Sequence, residues 1–123
     1  MATENLGKCI SRTAGADLSG SQYCFVKLDS SAQVVLAGDG QDAIGVLQND
    51  PASGEAATVM VGSGVTKVKA GGSSTNGGDV GIDSTGRAVD AASGDYIMGS
   101  FLEQPTAANN IVSMLFQRQS ARR

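Results

Sequence analysis

An internal repeat constrains the fold of this chain more than any other sequence feature. Residues 26–61 align without a gap on residues 80–115, at a constant offset of 54 positions. Nine of the 36 aligned pairs are identical, where a composition rich in Gly and Ala gives about three by chance. The identical pairs are Val26 and Val80, Asp29 and Asp83, Ser30 and Ser84, Val35 and Val89, Ala37 and Ala91, Gly40 and Gly94, Gly45 and Gly99, Pro51 and Pro105, and Met60 and Met114. This duplication predicts two similar halves, and since each copy is too short to fold alone, they are expected to share one core.

The pattern of apolar residues predicts an all-β fold. Short runs rich in β-branched residues alternate with Gly, Asp, Ser and Pro clusters, which is typical of strands separated by turns. The predicted strands are 23–28, 34–37, 43–47, 58–61, 65–69, 79–82, 87–89, 96–102 and 110–116. No window of a dozen residues keeps a helical stripe. About nine short strands of this kind indicate a compact barrel or sandwich.

The two ends of the chain differ from its middle. Residues 1–18 show little periodicity and are predicted to be an N-terminal arm, either frayed or lying on another surface. Residues 19–117 form the single predicted β domain, and residues 118–123 a basic C-terminal tail. The three Arg residues of that tail either bind an acidic surface or only improve solubility, and the solubilising role is favoured.

Composition excludes several classes of function. The net charge of −3 and the 4% aromatic content disfavour nucleic-acid binding, which usually needs a basic stripe and stacking platforms. The chain has no His, so the commonest general base and a common metal ligand are both missing. We therefore expect no enzymatic activity, no metal and no cofactor.

The sequence gives no sign of export or of a membrane span. Met1–Asn5 does not lead into the apolar run of a signal peptide, and no window reaches 18 consecutive apolar residues. The protein is therefore expected to be made in a cytoplasm, where Cys9 and Cys24 should remain free, buried thiols.

Three local patterns suggest binding sites, but each has a simpler explanation. The run 62–67 lacks the spacing of a phosphate-binding loop, and no helix follows the glycines of 71–78. The acidic residues Asp39, Asp42, Asp50, Asp90 and Asp95 lack the spacing of a calcium loop. They are expected to bond to the backbone of their own turns.

Several segments together carry a resemblance to a known family. They are 20–29 (GSQYCFVKLD), 34–38 (VVLAG), 42–48 (DAIGVLQ), 51–59 (PASGEAATV), 77–89 (GGDVGIDSTGRAV) and 94–99 (GDYIMG). In order and spacing the chain resembles the capsid decoration, or cement, proteins of tailed bacteriophages over roughly residues 14–116. The tail with three Arg residues does not belong to this pattern.

The resemblance implies a small β-barrel or sandwich, β-tulip-like, without catalytic residues or cofactor. It implies a protein made in the host cytoplasm that binds the major capsid protein on the outer surface of the expanded head. Such proteins commonly act as homotrimers at or near threefold positions, with no contact to nucleic acid or membrane. Bridging coat subunits would stabilise the shell against the internal pressure of packed DNA.

The arm is the expected capsid-binding segment, because an extended arm can add a strand to the exposed edge of a neighbour. Its candidate contact residues are Asn5, Leu6, Lys8, Ile10, Ser11 and Thr13. Leu6 and Ile10 would fill shallow pockets, and the polar residues would bond at the rim. The alternative is a disordered arm without a binding role.

A second class of function is a non-catalytic, carbohydrate-type β module. Such modules usually display exposed Trp or Tyr, and this chain has no Trp and only Tyr23 and Tyr96. A third reading, a small hydrolase subunit, is disfavoured by the missing His. The head-decoration role is therefore the leading prediction.

Overall fold

The computed structural model describes residues 6–118, which form ten strands and no helix. The strands are β1 (Cys9–Thr13), β2 (Phe25–Leu28), β3 (Val34–Leu36), β4 (Gly45–Leu47), β5 (Ala56–Met60), β6 (Gly64–Lys69), β7 (Asp79–Ile82), β8 (Ala88–Asp90), β9 (Gly99–Phe101) and β10 (Ile111–Phe116). They make two five-stranded antiparallel sheets, so the all-β prediction is confirmed and the arrangement resembles a sandwich, not a closed barrel. Within this range no helix could cross a membrane.

The two sheets have the same topology. The first has the order β1-β5-β4-β2-β3 and the second the order β6-β10-β9-β7-β8, so each strand has a counterpart five strands later. A single parallel bridge links the two edge strands of each sheet, at Ala14 and Val34 in the first and at Ala70 and Ala88 in the second. We call β1–β5 the first unit and β6–β10 the second unit.

Left-handed backbone positions recur in the two units as well. The matching pairs are Tyr23 (φ 69°) and Gly77 (φ 74°), Ala32 (φ 60°) and Gly86 (φ 80°), Gly40 (φ 66°) and Gly94 (φ 91°), and Gly54 (φ 86°) and Asn109 (φ 69°). L-residues rarely adopt positive φ, so four matched positions are unexpected for unrelated chains. The recurrence supports the interpretation of the sequence as a repeat.

The gapless alignment is wrong by one residue in the last strand of each unit. Leu47 lies opposite Val59, whereas its counterpart Phe101 lies opposite Met114. The true partner of Met114 is therefore Val59, and not Met60 as the alignment had it. The cause is the connection before the strand, which is one residue longer in the second unit (102–110) than in the first (48–55).

The prediction of one common core is correct only in part. A shared core draws on both sheets and contains Phe25, Phe101 and Phe116, with the rings of Phe25 and Phe116 centred 6.4 Å apart. A separate first-unit core contains Val26, Leu47 and other residues of the first unit alone. Two cores arise because successive residues of a strand point to opposite faces, so Phe25 and Val26 are both fully buried on different sides.

The chain from Cys9 to Thr13 is a strand of the first sheet, which corrects the prediction of a loose arm for that part of residues 1–18; residues 1–5 lie outside the described residues. Strand β1 pairs antiparallel with β5, and Ile10 lies opposite Val59. Beyond β1, Ala14 and Leu18 are only 1% and 2% exposed. The strand was missed because Ile10 is its one residue that is not fully exposed, which leaves no alternating apolar pattern to read.

Candidate functional site

Strand β1 carries three of the residues predicted to bind the capsid. Ile10 is half-buried and packs against the first-unit core, so it anchors the strand to its own sheet. This arrangement does not fit the expectation that Ile10 fills a pocket on a partner. Ser11 and Thr13 are exposed on the strand.

The other three predicted residues precede the strand. Leu6 is 45% exposed, and Lys8 is also exposed. The backbone of Lys8 lies beside the turn that leads into β6, since its carbonyl accepts hydrogen bonds from the N–H groups of Val61 and Gly62. Asn5 lies outside the described residues. The structure therefore brings Leu6, Lys8, Ser11 and Thr13 to the surface around one edge of the first sheet.

The backbone of β1 is open along its outer side. Val61 N–H donates to Lys8 O at 2.8 Å, and Ala14 N–H donates to Glu55 O at 2.8 Å. In an antiparallel pair the hydrogen-bonded positions alternate, so the even-numbered residues of this stretch face β5. The N–H and C=O groups of Cys9 and Ser11 consequently point outward from the edge of the sheet, whereas the outward side of Thr13 is engaged by the parallel bridge between Ala14 and Val34.

The acidic residues do not converge on a metal site. Asp95 accepts a hydrogen bond at 2.9 Å from the N–H of Ala92 in its own turn, as predicted. Asp90 instead bonds the hydroxyl of Ser74. Asp42 accepts a hydrogen bond from the backbone of Ala43, as predicted, in addition to its ion pair with Arg118. Within residues 6–118 no three His, Cys, Asp or Glu side chains are grouped so that they could hold a metal ion.

Arg118 is fixed to the first unit, although the sequence placed it in a basic tail. Its Nε lies 3.0 Å from Oδ1 of Asp42 and its Nη2 lies 2.7 Å from Oδ2. These hydrogen bonds lower the pKa of Asp42 and raise that of Arg118. The rest of the tail, residues 119–123, lies outside the described range.

The two cysteines have different surroundings. Both are free thiols, but Cys9 is exposed and Cys24 is buried, so the prediction of two buried thiols is wrong for Cys9. Burial raises the pKa of Cys24. Cys9 is exposed because the side chains at the odd-numbered positions of β1 point to the solvent face.

A groove at the boundary of the two units was not found in the sequence. It consists of two adjacent cavities, of about 300 Å³ and about 310 Å³, which share Gly20 and Lys69. Lys69 Nζ donates to Gly20 O at 2.9 Å between them. The first cavity is lined in addition by Ser21, Cys24, Leu36, Thr85, Arg87 and Asn109, and the second by Ser19, Gln22, Tyr23 and Ile111. We call this feature the junction groove.

The cationic side of the junction groove is held in place by neighbours. Arg87 Nε lies 2.9 Å from Oδ2 of Asp83, and Arg87 Nη1 lies 3.1 Å from Oδ1 of Asn109. Burial raises the pKa of Asp83, but hydrogen bonds from the Arg87 and Thr85 backbones outweigh it, so that the pKa is lowered overall. Asp83 thus remains a carboxylate that orients Arg87.

Tyr23 forms the other side of the junction groove in a strained conformation. Its φ of 69° is unfavourable for a bulky side chain. Its N–H donates to Leu47 O at 2.8 Å and its carbonyl accepts from Lys69 N–H at 2.9 Å, which holds the backbone there. Lys67 Nζ lies 6.0 Å from the centre of its ring. Tyr23 and Gly77 are 54 positions apart, the same offset as the repeat, although both lie just outside the aligned ranges. The Gly at the equivalent position was the sequence signal for a left-handed turn at Tyr23.

Comparisons with known proteins bear on both units. The sequence profile of the family described as phage cement protein matches residues 28–116. The fold is similar to that of a solved structure, the N base of the head fiber gp8.5 in bacteriophage phi29, with a TM-score of 0.72 at 18% sequence identity. That match covers 94% of this chain and 100% of the other. No curated protein sequence matches significantly.

Proposed function

Because the chain belongs to the phage cement protein family, we propose that it is a structural decoration protein of a phage head. It binds the major capsid protein on the outer surface of the shell and bridges neighbouring coat subunits. The observation that carries the proposal is the family match, since it spans residues 28–116 and so includes β3 to β10, strands of both units. The same match favours this role over the carbohydrate-type module.

The open edge of β1 is the part of the molecule that would contact the coat. The outward N–H and C=O groups at positions 9 and 11 can accept a strand from a coat subunit, with main-chain hydrogen bonds supplying affinity. Leu6 and Lys8 lie beside this edge and would contact the same segment. Ile10 contributes indirectly, by holding β1 on the first-unit core.

Stabilisation of the shell would come from several such contacts in one rigid body. In a homotrimer, three weak contacts become partly intramolecular once the first has formed, so avidity rises by orders of magnitude without new contacts. A body bound in this way opposes separation of coat subunits under the pressure of packed DNA. The role needs no catalytic residue.

Sedimentation with undecorated, expanded heads tests the proposal. The protein should co-sediment with heads at a fixed ratio to coat protein, and decorated heads should retain DNA to a higher temperature than undecorated ones. Free protein at the top of the gradient would refute the function. Equal DNA release with and without the protein would refute the stabilising role.

A variant in β1 tests the proposed edge. Ser11→Pro removes an N–H that points outward and leaves the bonds to β5 in place, so the sheet should tolerate it while strand addition is blocked. Ser11→Thr keeps the N–H and is the matched control. Loss of co-sedimentation by Ser11→Pro alone supports the edge as the contact, and equal binding by both variants would reject it.

A further inference from the structure

We propose that the junction groove is a docking site for a coat-protein segment that carries a carboxylate beside a large apolar side chain. The inference rests on the proposed function, because that function supplies the coat protein as partner. It adds a second contact to the edge of β1. Tyr23, Lys69 and Ile111 are the residues that form the site.

The repeat shows that the fold does not need Tyr23. Its counterpart in the second unit is Gly77, and both have left-handed backbone, with φ of 69° and 74°. Gly adopts this conformation without steric cost, whereas a bulky residue is strained there. The Tyr23 side chain is half-buried beside the groove and belongs to neither core. A strained aromatic residue where Gly suffices indicates a function outside folding.

The same comparison applies to Lys69 and Ile111. These two residues lie opposite each other in the pairing of β6 with β10. The equivalent pair in the first unit, between β1 and β5, is Thr13 and Ala56. The sheet therefore forms with small residues at these positions, yet the second unit has a cation and an aliphatic side chain that is 40% exposed. Tyr23, Lys69 and Ile111, the three residues that differ from their counterparts in the other unit, all line the cavity of about 310 Å³.

The lining defines the chemistry of the segment. Lys69 and Arg87 line the first cavity; Asp83 offsets the charge of Arg87, so the net positive charge comes from Lys69, with which a carboxylate can form charge-assisted hydrogen bonds. The ring of Tyr23 and the side chain of Ile111 provide an apolar surface in the adjoining cavity of about 310 Å³. A carboxylate and a large apolar side chain, close together on one extended segment, would fill both.

A coat protein suits the groove better than a second copy of this chain bound through the same face. Such a symmetric contact would bring Lys67 and Lys69 of one copy toward the same residues of the other. Like charges facing each other across an interface cost binding energy. An acidic partner surface carries no such penalty.

The test replaces each residue by the one found in the other unit. Tyr23→Gly, Lys69→Thr and Ile111→Ala are measured for binding to undecorated heads by quantitative co-sedimentation. Each should weaken binding about tenfold or more, as expected for anchor residues. Because Tyr23→Gly relieves strain, its melting temperature should be at most about 3 °C below that of the wild type. Added salt should weaken the wild type more than Lys69→Thr.

Ala32→Gly is the matched control. Ala32 has a φ of 60° and Gly86 as its counterpart, but it does not line the groove. It should bind heads like the wild type. If the wild type binds and all three groove variants bind equally well, the inference is wrong while the proposed function stands. If the wild type does not bind, the proposed function itself fails.

Sedimentation of the free protein distinguishes the two candidate occupants of the groove, a coat-protein segment and a second copy of this chain. Under this proposal, Tyr23→Gly leaves the oligomeric state of the free protein unchanged. If the wild type self-associates and Tyr23→Gly does not, the groove belongs to a second copy, and the assignment to coat protein is overturned.

Discussion

Arg118 and Asp42 connect the end of the second unit to the first, through two hydrogen bonds of 3.0 and 2.7 Å between a guanidinium and a carboxylate. The side chains are 46% and 32% exposed, so water screens much of their attraction. The pair fixes the chain where β10 ends and makes the boundary between the units partly ionic.

Asp42→Asn should lower the free energy of unfolding by about 0.5 kcal/mol at neutral pH, the usual size for an exposed pair. The folded-state pKa of Asp42 lies below its ordinary value of 3.8, so the contribution is present above that value and is lost as pH falls through the lowered pKa. Urea unfolding near pH 7 and near pH 2 measures it. The difference between variant and wild type should be smaller at the lower pH. A double-mutant cycle with Arg118→Ala gives the coupling, and a coupling of zero contradicts the prediction.

Gly99→Ala should be severely destabilising, by about 3 kcal/mol or more. An added Cβ would lie 1.9 Å from Leu115 O, and the backbone has a φ of 147°. Gly45→Ala should have a similar effect, because its Cβ would lie 2.0 Å from Met60 O at the equivalent place. Chemical denaturation compares both with Gly72→Ala, where no atom lies within 4 Å of the added methyl group. The control should change stability by less than about 0.5 kcal/mol, and equal losses in all three would exclude the steric cause.

Adjacent residues at the end of β9 allow a test of the core. Phe101 is fully buried in the shared core, and Leu102 is 48% exposed. Phe101→Ala should cost about 3–5 kcal/mol of unfolding free energy through lost burial and a cavity. Leu102→Ala should stay within about 0.5 kcal/mol. Thermal unfolding distinguishes them, and a comparable loss for Leu102→Ala would contradict the assigned faces.

The two thiols should react at different rates. Cys9 is exposed, whereas Cys24 is 3% exposed and burial raises its pKa, which reduces its reactive thiolate at neutral pH. A chromogenic disulfide reagent should label one thiol per native chain quickly and the second only in denaturant. In Cys9→Ser the fast phase should disappear, and its persistence would show that Cys24 is accessible.

The strands of both units could largely be predicted from the sequence, because each inward face is marked by residues such as Val26, Leu47 and Val80. Each of the nine predicted runs overlaps a strand of the structure. Strand β1 could not be predicted, since Ile10 is the one residue in it that touches the core. The choice between barrel and sandwich also depended on long-range pairings that no local pattern encodes.

The candidate sites, like the strands, could be predicted from the sequence only where local residues define them. Leu6, Lys8, Ser11 and Thr13 are at the surface, and their role in capsid binding stays a prediction. The junction groove depends on how Tyr23 of the first unit meets Lys69 and Ile111 of the second, a long-range contact that periodicity does not report. Extending the repeat alignment by three positions pairs Tyr23 with Gly77, a signal that a bulky residue replaces Gly at one turn of a repeated fold.

In each unit the first strand pairs with the last, which sets the order of events during synthesis. The first sheet can be completed only after Met60 has left the ribosome, and the buried faces of Phe25, Val46 and Met60 then still lack the second unit that covers them. A nascent chain that has been synthesised only as far as Met60 would expose an aggregation-prone apolar surface until Phe116 emerges. Premature termination between the two units should therefore yield a fragment prone to aggregation and to capture by chaperones.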